Sequence, residues 1–354
     1  IVLWGLKNGK SSDSQSYFLA GRTMPWWVVG LSLFAASISS TTLIGQSGDS
    51  YHTGLAVFNY NLTGIIVMVL FAVFLLPLYI KSRIFTIPEF LEKRFDSRSR
   101  YYFSGICILG NIFLDAAGAL YAAALIIKLI LPEADLQMII IVFAIISASY
   151  TIPGGLSSAI NAELIQAIIL ILGSVILTIF CFQQGGDYFY GLFADGDMLV
   201  KLIRPLSDSA TPWLGLIVGM PILGIYFWAN NQTLVQRVLS SRNIDEGRKG
   251  VIFTGYLTLL TLFIVAMPGL IARHLFPGLE KPDMVYPNMV LQLMPIGLLG
   301  VMLSALLSAL TSTLSAILNS TSTLFTIDFY AKFNKKADSK HLVFVGKIAS
   351  CVII

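Results

Sequence analysis

The chain has 354 residues, of which 56% are hydrophobic and 12% are charged, and its mean hydropathy is +0.79. This composition excludes a water-soluble domain, because it leaves too few polar side chains to cover a globule of this size. The net charge of +4 would suit an acidic partner, but the positions of the basic residues explain it otherwise.

Apolar runs long enough to cross a membrane follow one another along the chain. A run of about 20 apolar residues spans the hydrocarbon core as a helix, so the pattern predicts an all-α polytopic membrane protein. The chain begins without Met and ends inside an apolar run, and we therefore expect a fragment cut at both ends. The predicted spans lie near residues 24–47, 56–80, 101–131, 137–152, 160–183, 213–236, 251–272 and 291–327, and a ninth begins near 341.

The basic residues indicate how the spans are oriented. Most of the 23 Lys and Arg residues, including Arg237 after the sixth span, fall in four segments that lie on one side if every span crosses once. Lys and Arg are enriched on the cytoplasmic side, so the pattern predicts a multi-pass protein of the plasma or inner membrane, with no nucleic-acid partner. Scattered Cys and His residues, and no nucleophile paired with a base, argue against an enzyme.

The first span has a polar centre. Backbone and hydroxyl groups at membrane depth need partners, so a break in the helix is tolerated where it is buried or lines a cavity. Transporters bind their cargo at such breaks. The alternative is a helix whose hydroxyls bond to its own carbonyls and pack against a neighbour. The middle of the stretch from Gly30 to Gly48 carries the hydroxyl side chains of Ser37, Ser39, Ser40, Thr41 and Thr42.

Two carboxylates occur where charge is costly. Asp115 lies midway along the third span, and a carboxylate at that depth normally faces a polar cavity or a partner. We expect it to bind substrate or an ion rather than to make a purely structural hydrogen bond. Glu163 opens the fifth span, where it is either solvated near the helix terminus or part of a site.

Three connecting segments are also predicted. Residues 84–95 combine apolar residues at helical spacing, intervening charges and Pro88 near the start, which indicates a short helix on the inner membrane surface. Gly154 and Gly155 predict a tight turn between the fourth and fifth spans. Residues 185–212 are polar and predict an extracellular loop.

The sixth span repeats the polar centre of the first, in the run Tyr226-Phe-Trp-Ala-Asn-Asn-Gln232. Two broken spans that open two five-helix units are the pattern of inverted repeats, whose binding site lies at the midplane between them. This pairing favours a binding role for the break in the first span.

The eighth span carries a face suited to a small cation. Ala309, Ser312 and Thr313 stand at positions i, i+3 and i+4, so they share one side of a helix. A carbonyl and two hydroxyl oxygens there, opposed by carbonyls freed at a helix break, would form a cage of neutral oxygens that suits a monovalent ion. The alternative is helix packing through small residues.

Four sequence blocks identify a family. They resemble the sodium:solute symporter family, nearest its sodium/sugar cotransporter branch. The resemblance implies a LeuT-type fold of two inverted five-helix repeats, over residues 28–184 and 213–354, with the last core helix missing. Residues 1–27 would then form the end of a preceding helix and a cytoplasmic linker. The blocks are Tyr17-Phe-Leu-Ala-Gly-Arg22, Phe85-Thr-Ile-Pro-Glu-Phe-Leu-Glu-Lys-Arg-Phe95, Tyr150-Thr-Ile-Pro-Gly-Gly-Leu156 and Leu318-Asn-Ser-Thr-Ser-Thr-Leu-Phe-Thr-Ile-Asp-Phe-Tyr330.

The resemblance also implies sodium sites. Some relatives hold a second sodium ion on an Asp of the fifth helix; this chain has Glu163 there, Ser315 matches one serine ligand, and Ala316 replaces another. Carried over by position, the main sodium site consists of the carbonyls of Ala35, Ile38 and Ala309 and the hydroxyls of Ser312 and Thr313. This set agrees with the shared face of the eighth span.

The implied substrate positions differ from those of galactose and sialic acid symporters. Thr258 replaces a Lys of the bacterial galactose symporter, and Asp115 stands where sialic acid symporters place an Arg. An Asp would repel a sugar acid but accepts hydroxyl hydrogen bonds from a neutral polyol. We therefore expect sodium-coupled symport of a small neutral sugar or polyol. The implied substrate-binding residues are Ser37, Ser39, Thr42, Asn61, Asp115, Phe227, Trp228 and Thr258.

Two other functions stay open at this point. One is sodium symport of a carboxylate, an amino acid or another small solute, because several substrate positions are unlike those of the sugar members. The other is a membrane sensor domain, because some members of the family carry signalling domains.

Overall fold

The computed structural model describes residues 13–130 and 133–354. Within those residues the chain is helical, and β structure is limited to two isolated bridges, Met24 with Ser241 and Arg204 with Pro212. The first twelve residues of the predicted linker 1–27 lie outside the described part of the chain.

The helices α1 to α7 make up the first half of the chain. Two of them contain π-helical turns, α4 at Phe71–Leu75 and α6 at Asn111–Ala116. The bounds are α1 Ser14–Leu19, α2 Trp26–Ser37, α3 Ser40–Thr53, α4 59–81, α5 Ile87–Arg94, α6 97–130 and α7 Leu136–Ala194. Short 3-10 turns at Ala20–Arg22 and Gly54–Phe58 follow α1 and α3.

The helices α8 to α13 make up the second half. α8 ends in a π-helical turn at Tyr226–Asn230, and α10 and α12 contain similar turns. The bounds are α8 Trp213–Asn230, α9 Gln232–Leu239, α10 Ile244–Leu275, α11 Val285–Leu293, α12 Ile296–Phe333 and α13 Ser339–Ile353. Further 3-10 turns lie at Met198–Val200 and Pro282–Met284.

Both predicted breaks are present. α2 ends at Ser37, Ile38 and Ser39 are extended, and the Ser39 side chain accepts a hydrogen bond from the Thr42 N–H to begin α3. In the second half, Asn231 leaves the helical conformation between α8 and α9, and its side chain accepts from the Thr233 N–H. Each break is thus fixed by a polar side chain that caps the following half-helix.

The predicted turn at Gly155 is a sharp kink inside α7. Its φ is +59°, a conformation that side chains with a Cβ rarely adopt, and an added Cβ would lie 2.4 Å from the Tyr17 carbonyl oxygen. The kink separates the fourth and fifth spans. The helix predicted within residues 84–95 is present as α5, which begins with Pro88 in its first turn, and the Thr86 hydroxyl accepts from the Glu89 N–H.

The fifth span is longer than the sequence indicates. α7 continues to Ala194, ten residues into the segment 185–212 for which a loop is expected. Gly185 allows α7 to pack closely on α10 at this point, because a Cβ at that position would lie 2.5 Å from Ile271 in α10. The rest of the segment packs on the first half of the chain, where Asn59 Nδ2 donates to the Leu202 carbonyl at 2.6 Å.

Six helices among the described residues are long and apolar enough to cross a membrane. Two of these run through breaks, at Gly54 and at Gly155, which accounts for the larger number of spans expected from the sequence. Large apolar side chains such as Phe74, Phe113 and Ile217 are exposed on their outer surfaces. In water that surface would be a liability, whereas lipid solvates it.

Candidate functional site

Two adjoining cavities lie at the breaks. The first, of about 380 Å³, runs between α2, α6, α9 and α12, and the second, of about 310 Å³, runs between α3, α4, α8 and α10. Ser37, Thr42, Tyr226 and Phe227 line both cavities, so the two are parts of one binding region. All eight residues expected to bind substrate lie on these walls.

Asp115 is the only acidic residue among the described residues that line the two cavities. It lies in the π-helical turn of α6, and Ser37, Ser39 and Thr313 line the same cavity. No Lys, Arg or His lines either cavity, and Asp115 makes no ion pair with a described residue. Its carboxylate is therefore available to accept hydrogen bonds from a bound molecule.

Amide and aromatic groups line the second cavity. Asn61 Nδ2 donates to Gln46 Oε1 at 3.0 Å, which fixes the orientation of both amides. Phe227 stacks edge to face on the buried Trp228, with ring centroids 5.1 Å apart. An aromatic ring fixed beside amides and hydroxyls suits a molecule with one apolar and one polar face.

Thr258 lies deeper in the same wall. It is buried and donates to the Thr254 carbonyl at 2.8 Å, four residues earlier in α10. Its hydroxyl oxygen can still accept one hydrogen bond from a bound molecule.

The expected sodium ligands lie on the last turn of α2 and on α12, two helices that are in contact. Because the helix stops at Ser37, its last carbonyls have no donor within the helix. One of them, of Ser37, accepts from the Thr42 hydroxyl at 3.3 Å. The carbonyls of Ala35 and Ile38 belong to the same terminal turn.

The facing helix α12 supplies the hydroxyls. Thr313 Oγ1 donates to the Ala309 carbonyl at 3.0 Å, so its oxygen lone pairs stay free to bind a cation. Ser312 Oγ is buried and has no hydrogen-bond partner among the described residues. A buried hydroxyl oxygen without a partner, on a helix that contacts α2, fits a sodium ion, whose ligands are hard oxygens. The residues that would hold it are Ala35, Ile38, Ala309, Ser312 and Thr313.

Glu163 is neither solvated nor free. Arg237 donates to both of its carboxylate oxygens, the Nε bond being 3.0 Å, and Ser32 Oγ donates at 2.5 Å. Arg237 and Glu163 are both fully buried, which corrects the placement of Arg237 among the exposed basic residues. Ser315 Oγ accepts from Thr151 Oγ1 at 2.6 Å. Glu163 and Ser315 therefore do not fit a second sodium ion, because the carboxylate is already neutralised by a guanidinium.

A known protein family matches almost the whole chain. The model of the sodium:solute symporter family matches residues 17–354. The chain belongs to this family. Its members are transporters and not enzymes, which agrees with the expectation from the sequence.

Two relatives illustrate the branch. Sodium/glucose cotransporter 1 of Ovis aries is 36% identical over 100% of the chain, and sodium/myo-inositol cotransporter 2 of Homo sapiens is 32% identical over 100% of it. The chain spans 59% and 58% of the length of these two proteins.

Solved structures confirm the LeuT-type fold. A Na+-coupled sialic acid symporter in a substrate-bound outward-open state superposes with a TM-score of 0.89 at 24% identity, covering 99% of this chain and 76% of that one. A nucleobase-cation-symport-1 family transporter in a closed conformation gives a TM-score of 0.63 at 14% identity, covering 98% and 73%. The chain is thus an all-α multi-pass membrane protein.

Some residues of the region were not identified from the sequence. Gln46 and Tyr60 line the second cavity beside Asn61, and Tyr226 separates the two cavities. The signal was available for Gln46, a polar residue one helical turn after Thr42 in an apolar segment. Tyr226 and Tyr60 carry no such signal, because tyrosines are common throughout membrane helices.

Proposed function

We propose that this symporter moves a small neutral sugar or polyol inward with sodium by alternating access. The observation that carries the proposal is the position of Ser312. Its unpartnered buried hydroxyl lies on the same helix as Thr313, which lines the cavity that also contains Asp115. A bound cation and a bound solute would therefore be neighbours, which is the arrangement that coupling requires.

The chemistry of the cavities supports a neutral, hydroxyl-rich solute. Asp115 is the only charged residue among the described residues that line them, so an anionic solute would find repulsion and no counter-charge. A carboxylate, the hydroxyls of Ser37 and Thr42 and the amide of Asn61 can accept and donate to several hydroxyl groups at once. Phe227 offers a ring face to the apolar side of a sugar.

Sodium supplies the driving force in this scheme. One charge moving through 100 mV releases about 2.3 kcal/mol. Together with a concentration gradient, that is enough for about a hundredfold accumulation of an uncharged solute. The family name and the sodium-coupled relatives support this coupling, and their printed substrates, glucose and myo-inositol, support the sugar or polyol class.

A second candidate is symport of an amino acid or another small solute. Asp115 favours it in one respect, because a carboxylate beside an aromatic ring also suits an ammonium group. A carboxylate solute is disfavoured by the same residue. A sensor role gains no support from any contact described above.

The test is uptake into proteoliposomes that contain the full-length protein. Labelled neutral sugars, polyols, amino acids and carboxylates are offered with and without an inward sodium gradient. We expect sodium-dependent uptake of one neutral polyhydroxyl solute, lost in Ser312→Ala. The matched control is Ser304→Ala, an exposed serine of the same helix that bonds to its own Gly300 carbonyl at 2.8 Å. Sodium-dependent uptake of an amino acid alone would replace the sugar proposal with the second candidate.

The orientation and membrane are part of the same proposal. The basic segments place the ends of α9 and α12 on the cytoplasmic side of the cell membrane. The variant Lys335→Cys tests this in intact cells. A membrane-permeant thiol reagent should label the introduced cysteine, and an impermeant reagent should not.

A further inference from the structure

From the proposed cation site towards its C-terminal end, α12 carries several buried polar side chains that have no hydrogen-bond partner among the described residues. Ser312 and Asn319 are spaced by seven residues, about two helical turns, so they share one face, and Thr326 lies further along α12 in the π-helical turn Leu324–Tyr330. Ser312 Oγ, Thr326 Oγ1 and both polar atoms of the Asn319 side chain have no hydrogen-bond partner among the described residues. All three residues are at most 1% exposed.

Such groups call for an explanation. Each buried polar atom without a partner lowers the stability of the fold by about 1–3 kcal/mol, and an apolar side chain at the same position would avoid that loss. Ser312, the expected sodium ligand, Asn319 on the same face and Thr326 further along the helix form a series rather than scattered defects.

A second helix faces the middle of this series. Gln236 of α9 is fully buried, and its Nε2 donates to Thr323 Oγ1 at 2.9 Å. The same Thr323 hydroxyl donates to the Asn319 carbonyl at 2.6 Å. Gln236 Oε1 has no partner among the residues the structure describes. Thr323 lies one helical turn after Asn319, so Gln236 contacts α12 next to Asn319, and the side-chain amide oxygens of Asn319 and Gln236 both have no partner among the described residues.

The surrounding charges do not repel a cation there. Arg237 follows Gln236 in α9, but Glu163 neutralises it through two hydrogen bonds. Towards the cytoplasm the series ends at Asp328, a buried carboxylate held by Arg100. The series therefore leads from the binding region to a closed ion pair at the inner end of α12.

We propose that Asn319 and Gln236 form a second, transient sodium site on the path from Ser312 to the cytoplasm. Neutral amide oxygens bind sodium weakly enough to release it, which a passage site requires. Thr326 is the next oxygen along that path, and opening of the Arg100–Asp328 pair completes it. The inference rests on the proposed function, because it assumes that sodium leaves inward.

The experiment compares two apolar replacements with a matched control in proteoliposomes. Asn319→Leu and Thr326→Val each remove unpartnered polar atoms, so we expect both variants to fold with unchanged thermal stability. Thr321→Val is the control, because Thr321 is equally buried but lies on the opposite face, where it accepts from Asn111 Nδ2 at 3.0 Å. Equilibrium binding of radioactive sodium and the maximal rate of sodium-driven solute uptake are measured for each.

For Asn319→Leu and Thr326→Val we expect sodium affinity within about twofold of that of the unmodified protein and a maximal uptake rate at least about fivefold lower. The rate should fall because each lost oxygen ligand raises the free-energy barrier for the passage of a dehydrated ion. Thr321→Val should transport normally. Normal transport by both test variants, equal slowing by the control, or lost sodium binding would each overturn the transient site. Absence of sodium-dependent uptake in the unmodified protein would instead reject the proposed function, and the inference with it.

Discussion

The guanidinium of Arg100 and the carboxylate of Asp328 meet at 2.6 Å, although 228 residues separate them in the chain. Arg100 lies at the start of α6 and Asp328 near the end of α12. Thr86 and Ser104 also donate to Asp328, at 2.7 Å and 2.6 Å. The start of α6, the end of α12 and the cap of α5 are therefore joined at one buried carboxylate.

Removing one partner of this pair should destabilise the fold. Arg100→Ala leaves the Asp328 charge buried and uncompensated, which costs about 3–5 kcal/mol. Thermal unfolding of the detergent-solubilised protein measures the change. Lys93→Ala is the control, because Lys93 is half-exposed in its pair with Glu89 and should contribute less than about 1 kcal/mol. Equal effects of the two substitutions would contradict a special role for the buried pair.

The pair of Glu163 and Arg237 should show strong coupling. Glu163→Leu or Arg237→Met alone leaves one buried charge and should lower stability by about 3–5 kcal/mol. The double variant Glu163→Leu with Arg237→Met removes both charges and should lose clearly less than the sum. Additive losses in the double-mutant cycle would show that the two side chains act independently.

Asp115 should determine solute affinity without affecting sodium. Replacing it with Asn weakens charge-assisted hydrogen bonds to hydroxyl groups, which are worth about 1.5–3 kcal/mol, so KM for the solute should rise at least about tenfold. The sodium concentration for half-maximal uptake should change less than about twofold, because the proposed ligands of sodium are other residues. The control Asp49→Asn alters an exposed carboxylate that lines neither cavity. A large change in sodium dependence would place Asp115 in the ion site instead.

The kink in α7 depends on one glycine. Gly155→Ala forces a Cβ into a positive-φ position and against the Tyr17 carbonyl, and should cost at least about 2 kcal/mol. Gly110→Ala in α6 is the comparison, since a Cβ there meets nothing within 4 Å and Ala favours a helix by about 0.5–1 kcal/mol. The two melting temperatures should shift in opposite directions. A tolerated Gly155→Ala would mean that the kink has other causes.

The sequence predicted the local features of this fold and site well, because they depend on local patterns. Hydroxyl-rich centres in apolar runs predicted the breaks after Ser37 and near Asn231, and residue spacing predicted the face that carries Ser312. Long-range pairing was not predictable. Arg237 and Glu163 are 74 residues apart, and nothing near either residue in sequence indicates that they meet in the interior.

The end of the fifth span shows a different limit. Gly185 and Gly186 suggest a loop, since glycine is common in turns. In the structure Gly185 allows close packing of α7 on α10, and the helix continues. A glycine that permits a turn and one that permits helix contact look alike in a single sequence.

The π-helical turn at Asn111–Ala116 also affects how solute specificity can change. A turn of this kind holds one residue more than the α-helical turn it replaces. Deleting a single residue there would convert the turn to regular helix. The part of α6 after the turn would then rotate by about 100° relative to the part before it. Asp115 would then leave the cavity wall and a neighbour would take its place. The group proposed to face the solute thus depends on the length of the chain as well as on its composition, and one deleted codon can exchange it.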